Sequence, residues 1–265
     1  MQMRRHFSLL LLAGCLLAVA IGCTTAPITG RKQFNIFSAT EEMQMGLTSF
    51  EQMKQEVKVS NDPQANALLQ KVGQKIAAAA ANDLPGAQWE FVVFDSPEAN
   101  AFCLPGGKVG IYTGILPITK DEAGLATVIG HEVAHATARH GGERMSTATA
   151  LGMGGAVVAA VTSNRDTEER ALWNGLYGVG ASVGLALPHS RAQESEADRI
   201  GLIYMARAGY DPAEAVNFWQ RFSDYNQQRG GDVAWFLRTH PLDTKRIQDI
   251  QKWIPEARAA AANAQ

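Results

Sequence analysis

Residues 128–142, VIGHEVAHATARHGG, hold two histidines four positions apart with a glutamate directly after the first. On a helix, His131 and His135 project from one face a single turn apart, so both imidazoles can reach one tetrahedral ion at about 2.0–2.1 Å. Glu132 leaves the same turn rotated to one side and can take a proton from a water molecule activated by that ion. The pattern is typical of a zinc site that hydrolyses peptide bonds.

The pattern formed by His131, Glu132 and His135, HExxH, arises by chance in roughly one chain of this length in a hundred. An acidic segment further along the chain supports its interpretation as a metal site. The segment QESEADRIG offers Glu194 and Asp198, which share one helix face at i and i+4. Glu194 can complete a three-residue zinc set, and Asp198 can accept the distal N–H of a ligand histidine and fix its tautomer. Glu196, one position off that face, is the alternative third ligand. A solvated acidic helix face is the alternative for the whole segment.

Four stretches together resemble the CAAX-prenyl-protease-like and HtpX-like zinc metalloendopeptidases: NAFCLPGGKVGIYTGIL, GHEVAHATARHGGERMS, ESEADRIGLIYMARAGYDP and RTHPLDTKRI. The stretch GCTTAPITGRKQFNIFS is similar to the mature N-terminus of their bacterial lipoprotein branch, and the resemblance covers most of residues 23–255. It implies a gluzincin site with one Zn²⁺ held by His131, His135 and Glu194, and with Glu132 as general base. The expected fold is α+β, mostly α, a zincin-like metalloprotease domain with a small β-sheet whose edge strand lines the cleft.

The resemblance also implies a substrate-binding edge. It places the strand KVGIYTG along the cleft as an edge to which an extended peptide adds, with Asn100 and Ala101 near the substrate backbone. An edge strand binds a peptide mainly through hydrogen bonds to the peptide's main chain and less through its side chains, so broad specificity is expected. The residues between Gly142 and Arg191 are expected to form short glycine-rich helices, unlike the long membrane spans of the prenyl-protease members, which argues against prenyl-protein substrates.

His240 has two possible roles. The sequence alone makes THPL a turn with a histidine before proline, which is most often structural. The family resemblance places His240 facing the zinc cleft, with Arg246 orienting its segment. His240 would then be either a donor to the tetrahedral oxyanion or a fourth zinc ligand that closes the site at rest.

The remaining candidate side chains are expected to be structural. His140 is predicted at a helix C-terminus, where the helix dipole favours a cationic imidazole. His189 is predicted in a cap or on the surface. Cys103 is predicted to be a small buried apolar residue, because nothing near it in the sequence resembles the base that a nucleophilic thiol needs.

The N-terminus resembles a lipoprotein signal. Two arginines precede an apolar run that ends in small residues before Cys23, and the run is short for the alternative, a transmembrane anchor. AIGC resembles a lipobox with Cys23 as the lipidated residue; LAGC, ending at Cys15, competes, but cleavage there leaves LLAVAIG exposed. Because Thr24 is not the aspartate that commonly retains lipoproteins in the inner membrane, we expect the periplasmic face of the outer membrane.

Composition limits the class of protein. With 265 residues, of which 46% are hydrophobic and 19% charged, the chain suits one globular domain with a sizeable core. A net charge of -2 and a pI near 6.3 give no electrostatic case for nucleic acid binding. The expected partners are unfolded or misfolded envelope proteins, and the membrane through the N-terminal lipid.

The expected organisation is a signal peptide (1–22), a lipid-anchored segment (23–39), a peptidase domain (40–255) and an Ala-rich tail that frays (256–265). Helices are predicted from about Thr40, after Asp62 and Pro63, in two Ala- and Gly-rich stretches after residue 145, and ahead of Gly209 and after Asp211. The motif helix is predicted to run from Asp121 to about His140, where Gly141 and Gly142 stop it. Two β-rich runs, QWEFVVFD and KVGIYTGIL, are expected to pair as antiparallel strands.

A non-enzymatic envelope lipoprotein, chaperone-like or scaffold, with a structural zinc is the alternative function. Structural zinc sites usually close with four protein ligands and favour cysteine, and the sequence has no CxxC. Glu132 also has no role in that interpretation. An acidic adaptor that binds no metal is a third alternative.

Overall fold

The computed structural model describes residues 23–26, 28–161, 189–229, 234–241 and 244–262. The predicted signal peptide and the second glycine-rich stretch, residues 171–187, lie outside the described residues. The chain divides into two compact units: one comprises Met1–Glu41 and Gly141–Ala186, and the other Glu42–His140 and Leu187–Gln265.

The first unit contains a short hairpin and most of one long helix. The strands β1 (Cys23–Thr25) and β2 (Lys32–Phe34) pair antiparallel. Arg31, just before β2, donates two hydrogen bonds of 2.7 and 2.8 Å to the carboxylate of Glu143 on the helix His140–Val161. That helix has 22 residues, so the expectation of short helices between Gly142 and Arg191 is wrong here. None of the described helices is both long and apolar enough to cross a bilayer.

Helices make up most of the second unit. In chain order the helices are α1 (Ala39–Glu56), α2 (Pro63–Ala79), α3 (Leu116–Thr119), α4 (Glu122–Thr137), α5 (His140–Val161), α6 (Arg191–Arg207), α7 (Glu214–Gln228), α8 (Trp235–Thr239) and α9 (Thr244–Ala262). The first three residues of α1 lie in the first unit, as does α5 from Gly141 onward. The expected start of α2 is confirmed, because Asp62 Oδ1 accepts hydrogen bonds from the amides of Gln64 and Ala65.

A three-stranded sheet lies in the second unit. Its strands are β3 (Glu90–Phe94), β4 (Ala101–Leu104) and β5 (Lys108–Tyr112), in the order β3-β5-β4. β3 and β5 are parallel, so the predicted antiparallel pairing is wrong; the connection between them contains β4, which pairs antiparallel with β5. The strand KVGIYTG is therefore central and cannot be the edge that receives a peptide, because both of its sides are already paired. β4, which pairs only with β5, is an edge strand of this sheet.

The motif helix α4 begins as predicted and ends early. Asp121 caps it by accepting a hydrogen bond from the amide of Gly124. It stops at Thr137 rather than near His140, because Arg139 has a left-handed backbone with φ 55°. Gly141 and Gly142 do not end it; they lie in the first turn of α5.

Helix α6 carries Glu194 and Asp198 and helix α9 carries Arg246, and α7 lies between them in the chain. Ser190 and Gln193 form a capping box at the start of α6, and Gly209 with φ +82° follows its end. α7 starts at Glu214, and it buries Ala215, Phe218, Trp219 and Phe222 on one face. The tail predicted to fray is instead helical as far as Ala262, since α9 continues through Pro255.

Two glycines set the spacing of α4 and α6. A Cβ added to Gly201 on α6 would lie 3.0 Å from the backbone carbon of Gly130 and from the backbone nitrogen of His131 on α4. Only a residue without a side chain fits this approach. The close approach brings the histidines of α4 against the carboxylates of α6.

We expect Gly201→Ala to lower the free energy of unfolding by about 1–3 kcal/mol, because the added methyl group meets backbone that cannot move aside cheaply. Gly141→Ala is the matched control: its added Cβ meets nothing within 4 Å, so the helix preference of alanine should raise stability slightly. Urea unfolding followed by circular dichroism measures both. Equal midpoints for Gly201→Ala and the parent would contradict the close approach.

Candidate metal centre

Four side chains from three helices converge in the second unit. His131 and His135 lie on α4, Glu194 lies in the first turn of α6, and His240 is the residue that ends α8. One ligand atom from each of the four lies within 4.8 Å of every other. All four residues are buried, with 5% or less of their surface exposed.

The separations between ligand atoms fit a single tetrahedral ion. Bonds of about 2.0–2.1 Å to such an ion place neighbouring ligand atoms about 3.3–3.4 Å apart. Nε2 of His131 lies 3.0 Å from Nε2 of His135 and 3.5 Å from Glu194 Oε2, and His135 Nε2 lies 3.3 Å from Glu194 Oε1. His240 Nδ1 is 3.2 Å from His131 Nε2 and 3.0 Å from Glu194 Oε1. The donor set therefore fits a small divalent metal.

The charge of the cluster also fits a divalent cation. Three buried carboxylates, those of Glu132, Glu194 and Asp198, face one buried guanidinium, that of Arg246. With neutral histidines, the side chains that the structure describes here leave an excess of two negative charges, in surroundings where uncompensated charge is costly. The same carboxylates act on His131: burial lowers its pKa, but hydrogen bonds to Asp198 and Glu194 outweigh burial and raise the pKa to about 9.

Asp198 contacts the ring of His131. Its Oδ1 is 3.0 Å from Nδ1 of His131, on the side of the ring opposite the cluster. A proton on that nitrogen would leave the Nε2 lone pair directed into the cluster. Although burial opposes ionisation, the guanidinium of Arg246 and the hydrogen bond to His131 hold the pKa of Asp198 below its usual value.

Arg246, on α9, connects several parts of the site. It donates hydrogen bonds of 2.7 and 2.8 Å to the carboxylate of Asp198, and its Nη1 lies 2.9 Å from Glu194 Oε2. The same Nη1 donates a 3.4 Å hydrogen bond to the backbone carbonyl of His240. The guanidinium stacks on the ring of Trp219 at 3.7 Å, a contact between two distant helices that no local sequence pattern predicts.

Glu132 is buried beside the cluster rather than in it. Burial raises the pKa of its carboxyl, and the neighbouring His240 and His131 only partly offset that rise. Oε1 of Glu132 makes no hydrogen bond to any side chain that the structure describes, although it lies 3.5 Å from His240 Nε2. A carboxylate with a raised pKa and an unused oxygen suits a group that accepts and releases a proton.

Cys103 lies on β4 and is half-buried rather than fully buried as predicted, but its predicted lack of a nucleophilic role is consistent with its surroundings. Burial and the negative charge of the nearby Glu132 both raise the pKa of its thiol. The thiol donates a weak hydrogen bond of 3.7 Å to the carbonyl of Leu104. A thiol with a raised pKa stays protonated and is a poor nucleophile.

The predictions for two other histidines are wrong. His140 does not cap a helix C-terminus: it begins α5, is fully buried, and places Nδ1 2.7 Å from Nδ1 of His135. His189 is not the cap of α6, which is Ser190, and it is half-buried: its ring centroid lies 3.8 Å from that of His135 and 4.8 Å from that of His240. Both were missed because neighbours from other helices, and not local sequence, create their surroundings.

Glu196, the alternative third ligand, is separated from His135 by the ring of His140. Its Oε2 is 3.0 Å from His140 Nε2, whereas the metal-ligating group contains Glu194. The two-residue offset between the two glutamates rotates them by about 200° around the helix, twice the 100° step of a helical residue. Glu194 is therefore the carboxylate that the fold places with His131 and His135.

Asn100 and Ala101 lie at the start of the edge strand β4. Ala101 pairs with Ile111 of β5, and its amide donates to Asn100 Oδ1 at 2.9 Å. The carbonyl of the preceding Ala99 accepts a 3.3 Å hydrogen bond from the amide of Phe236 on α8. The beginning of β4 is thus next to the helix that carries His240.

Comparison with known proteins places this geometry in a family. The model of peptidase family M48 matches residues 63–254. The chain is 36% identical over 269 residues to the mitochondrial metalloendopeptidase OMA1 of Saccharomyces cerevisiae, covering 96% of this chain and 75% of that protein. The OMA1 protein of Schizosaccharomyces pombe is 36% identical over 235 residues, covering 87% of this chain and 66% of that protein.

A bacterial relative is more distant. The beta-barrel assembly-enhancing protease of Escherichia coli is 28% identical over 240 residues, which are 88% of this chain and 48% of that protein. The chain thus spans about half the length of this relative. Because the M48 model covers more than half of the chain, together with all four clustered ligands, the chain belongs to peptidase family M48 and is a hydrolase of the metalloendopeptidase class.

Proposed function

We propose that the protein is a zinc-dependent endopeptidase that uses His131, His135 and Glu194 as its permanent metal ligands. The observation that carries the proposal is the set of 3.0–3.5 Å separations between the ligand atoms of these residues, beside the unused carboxylate oxygen of Glu132. A bound zinc would lower the pKa of a coordinated water toward about 7 and polarise the scissile carbonyl.

The chain's own residues would supply the proton transfers and the orientation. Glu132 accepts the proton of the attacking water and then delivers it to the leaving amine, which its raised pKa favours. Asp198 holds the ring of His131 by its Nδ1, and Arg246 holds Asp198 in turn. Removal of either support would loosen a ligand rather than remove one.

His240 is proposed to close the site at rest. Its Nδ1 lies among the ligand atoms, in the position that an attacking water needs, which supports the role of fourth ligand. His240, Glu132 and the other ligands are all buried, so a peptide can reach them only after part of the surrounding chain moves away. The alternative role, donation to an oxyanion, would use Nε2 of the same ring, which lies 3.5 Å from Glu132 Oε1.

We expect His240→Ala to bind zinc more weakly and to cleave a short peptide several-fold faster, because the substitution removes the ligand that occupies the open position. Zinc content after dialysis and the initial rate on a fluorogenic peptide measure the two effects. A slower enzyme with unchanged zinc would make His240 an oxyanion donor only. Parent values for both quantities would remove His240 from the site.

Substrates and location form a further part of the proposal. We propose unfolded or misfolded cell-envelope proteins as substrates, and anchoring through a lipid on Cys23 at the periplasmic face of the outer membrane. The lipobox-like AIGC supports anchoring, and the bacterial relative bears the name of a beta-barrel assembly-enhancing protease. Because β1 starts at Cys23, a lipid there would hold the folded hairpin directly at the membrane surface.

The proposed activity is tested by incubating the purified protein with unfolded casein. We expect internal cleavage that stops when a chelator removes the metal and returns when zinc is added back. Internal cleavage is recognised by mass spectrometry, since an exopeptidase trims only ends. Cleavage that persists in the metal-stripped protein would contradict a metal-dependent mechanism.

A further inference from the structure

We propose that Glu196 and His140 form a hydrogen-bonded chain that fixes the metal-binding tautomer of His135. The inference rests on the proposed metal site and assigns two positioning residues to it. Neither residue reaches the metal-ligating cluster itself; both act through His135.

The three side chains lie in a row, entirely inside the protein. Glu196 Oε2 is 3.0 Å from His140 Nε2, and His140 Nδ1 is 2.7 Å from His135 Nδ1. The remaining nitrogen of His135, Nε2, faces His131 and Glu194 in the proposed metal site. His140 is completely buried and Glu196 is 6% exposed, so water competes little for these contacts.

The direction of each hydrogen bond follows from the chemistry of the groups. A carboxylate only accepts, so Glu196 requires the proton of His140 on Nε2. The Nδ1 of a neutral His140 is then an acceptor, and the proton between the two Nδ1 atoms must belong to His135. His135 therefore presents its Nε2 lone pair to the metal.

The separations favour this hydrogen-bonded chain over a second metal ion. His135, His140 and His189 could also hold a metal, because one ligand atom of each lies within 4.8 Å of the others. However, the 2.7 Å between the two Nδ1 atoms is a hydrogen-bond distance and is much shorter than the about 3.3 Å expected between two tetrahedral ligands. The ring of His189 instead lies against that of His135, tilted by 38°.

The backbone turn after α4 returns His140 to this position. Arg139 adopts the left-handed conformation that ends α4, and its side chain donates hydrogen bonds of 2.7 and 3.2 Å to the carboxylate of Glu42 on α1. Glu42 is 2% exposed, so the pair anchors the turn. A non-glycine residue in this conformation is costly and is maintained only where surrounding contacts hold it.

The two ligand histidines are thus supported in different ways. Asp198 contacts the Nδ1 of His131 directly, whereas Glu196 reaches the Nδ1 of His135 through the ring of His140. Loss of such outer partners typically costs about 10- to 100-fold in metal affinity or activity, because the ligand ring is no longer held in one orientation and one tautomer.

The tautomers can be measured in the unmodified full chain. In protein labelled with ¹⁵N-histidine, long-range proton–nitrogen correlations report which ring nitrogen carries the proton. We expect His140 with its proton on Nε2 and His135 with its proton on Nδ1, in both the metal-free and the zinc-loaded protein. A proton on Nδ1 of His140, or on Nε2 of His135 in the metal-free protein, would overturn the proposed chain.

A matched pair of substitutions tests the consequence for zinc. His140→Asn keeps an acceptor oxygen at the position of Nδ1, whereas His140→Leu has the same branching and no acceptor. We expect zinc affinity, from competition with a chelator, to fall about 10- to 100-fold in His140→Leu and less than about 10-fold in His140→Asn. The ratio of kcat to KM should follow the same order, and thermal unfolding of the metal-free variants checks that both fold.

The outcomes separate this inference from the proposed function. If the parent binds zinc and both variants bind it equally tightly, the positioning role is wrong and the zinc peptidase stands. If the parent binds no zinc, both are wrong. If His140→Leu does not fold, the tautomer measurement on the parent still decides the inference.

Discussion

Glu132→Gln is expected to keep its zinc while cleavage of casein falls at least about 100-fold. Glutamine preserves the shape of the side chain and leaves His131, His135 and Glu194 untouched, but an amide cannot accept the proton of the attacking water. Atomic absorption after dialysis measures the zinc, and the initial rate of cleavage measures the activity. Substrate binding should change little, since the lost interaction belongs to the transition state.

Glu122→Gln is the matched control for this substitution. Glu122 lies in the first turn of the same helix, where its exposed carboxylate forms an ion pair with Lys71. Surface pairs of this kind contribute little, so both zinc content and activity should match the parent. If Glu132→Gln cleaved casein at the rate of this control, Glu132 would not be the general base.

Glu194→Ala is expected to lose most of its zinc, because it removes a negatively charged ligand from the cluster. Asp198→Asn should cost only about 10- to 100-fold in metal affinity or activity, since Asp198 acts through His131. Titration with zinc in competition with a chelator orders the two variants. The apo forms should be compared by thermal unfolding, because Arg246 contacts both carboxylates.

The result for the third ligand can contradict the assignment in two ways. Equal zinc retention in Glu194→Ala and the parent would show that another group binds the metal. Complete zinc loss in Glu196→Ala together with retention in Glu194→Ala would make Glu196 the ligand, as the alternative interpretation of the sequence had it. The positioning role proposed for Glu196 predicts a smaller loss than that of Glu194.

Local periodicity was enough to predict much of the site. The four-residue spacing of His131 and His135 places both rings on one side of α4 whatever the rest of the fold does, and the same holds for Glu194 and Asp198 on α6. Asp121 was identifiable as a helix cap because its short side chain carries a hydrogen-bond acceptor and precedes a run of helix-forming residues. These features depend only on neighbouring positions along the chain.

Features that depend on distant neighbours were missed. The run KVGIYTG has the composition of any buried strand, and only the arrival of β3 on one side and β4 on the other makes it central. The early end of α4 depends on the ion pair between Arg139 and Glu42, which are 97 positions apart. His140 and His189 likewise owe their surroundings to residues of other helices. No periodic pattern encodes such contacts.

Anomalous diffraction at the zinc absorption edge can show whether one zinc ion binds between His131, His135 and Glu194. We expect a single strong peak per chain, with the ligand nitrogens and oxygen at about 2.0–2.1 Å and His240 as the fourth ligand in the resting protein. A zinc-loaded crystal with no peak between these side chains, or with its peak at another site, would show that these residues do not form the zinc site.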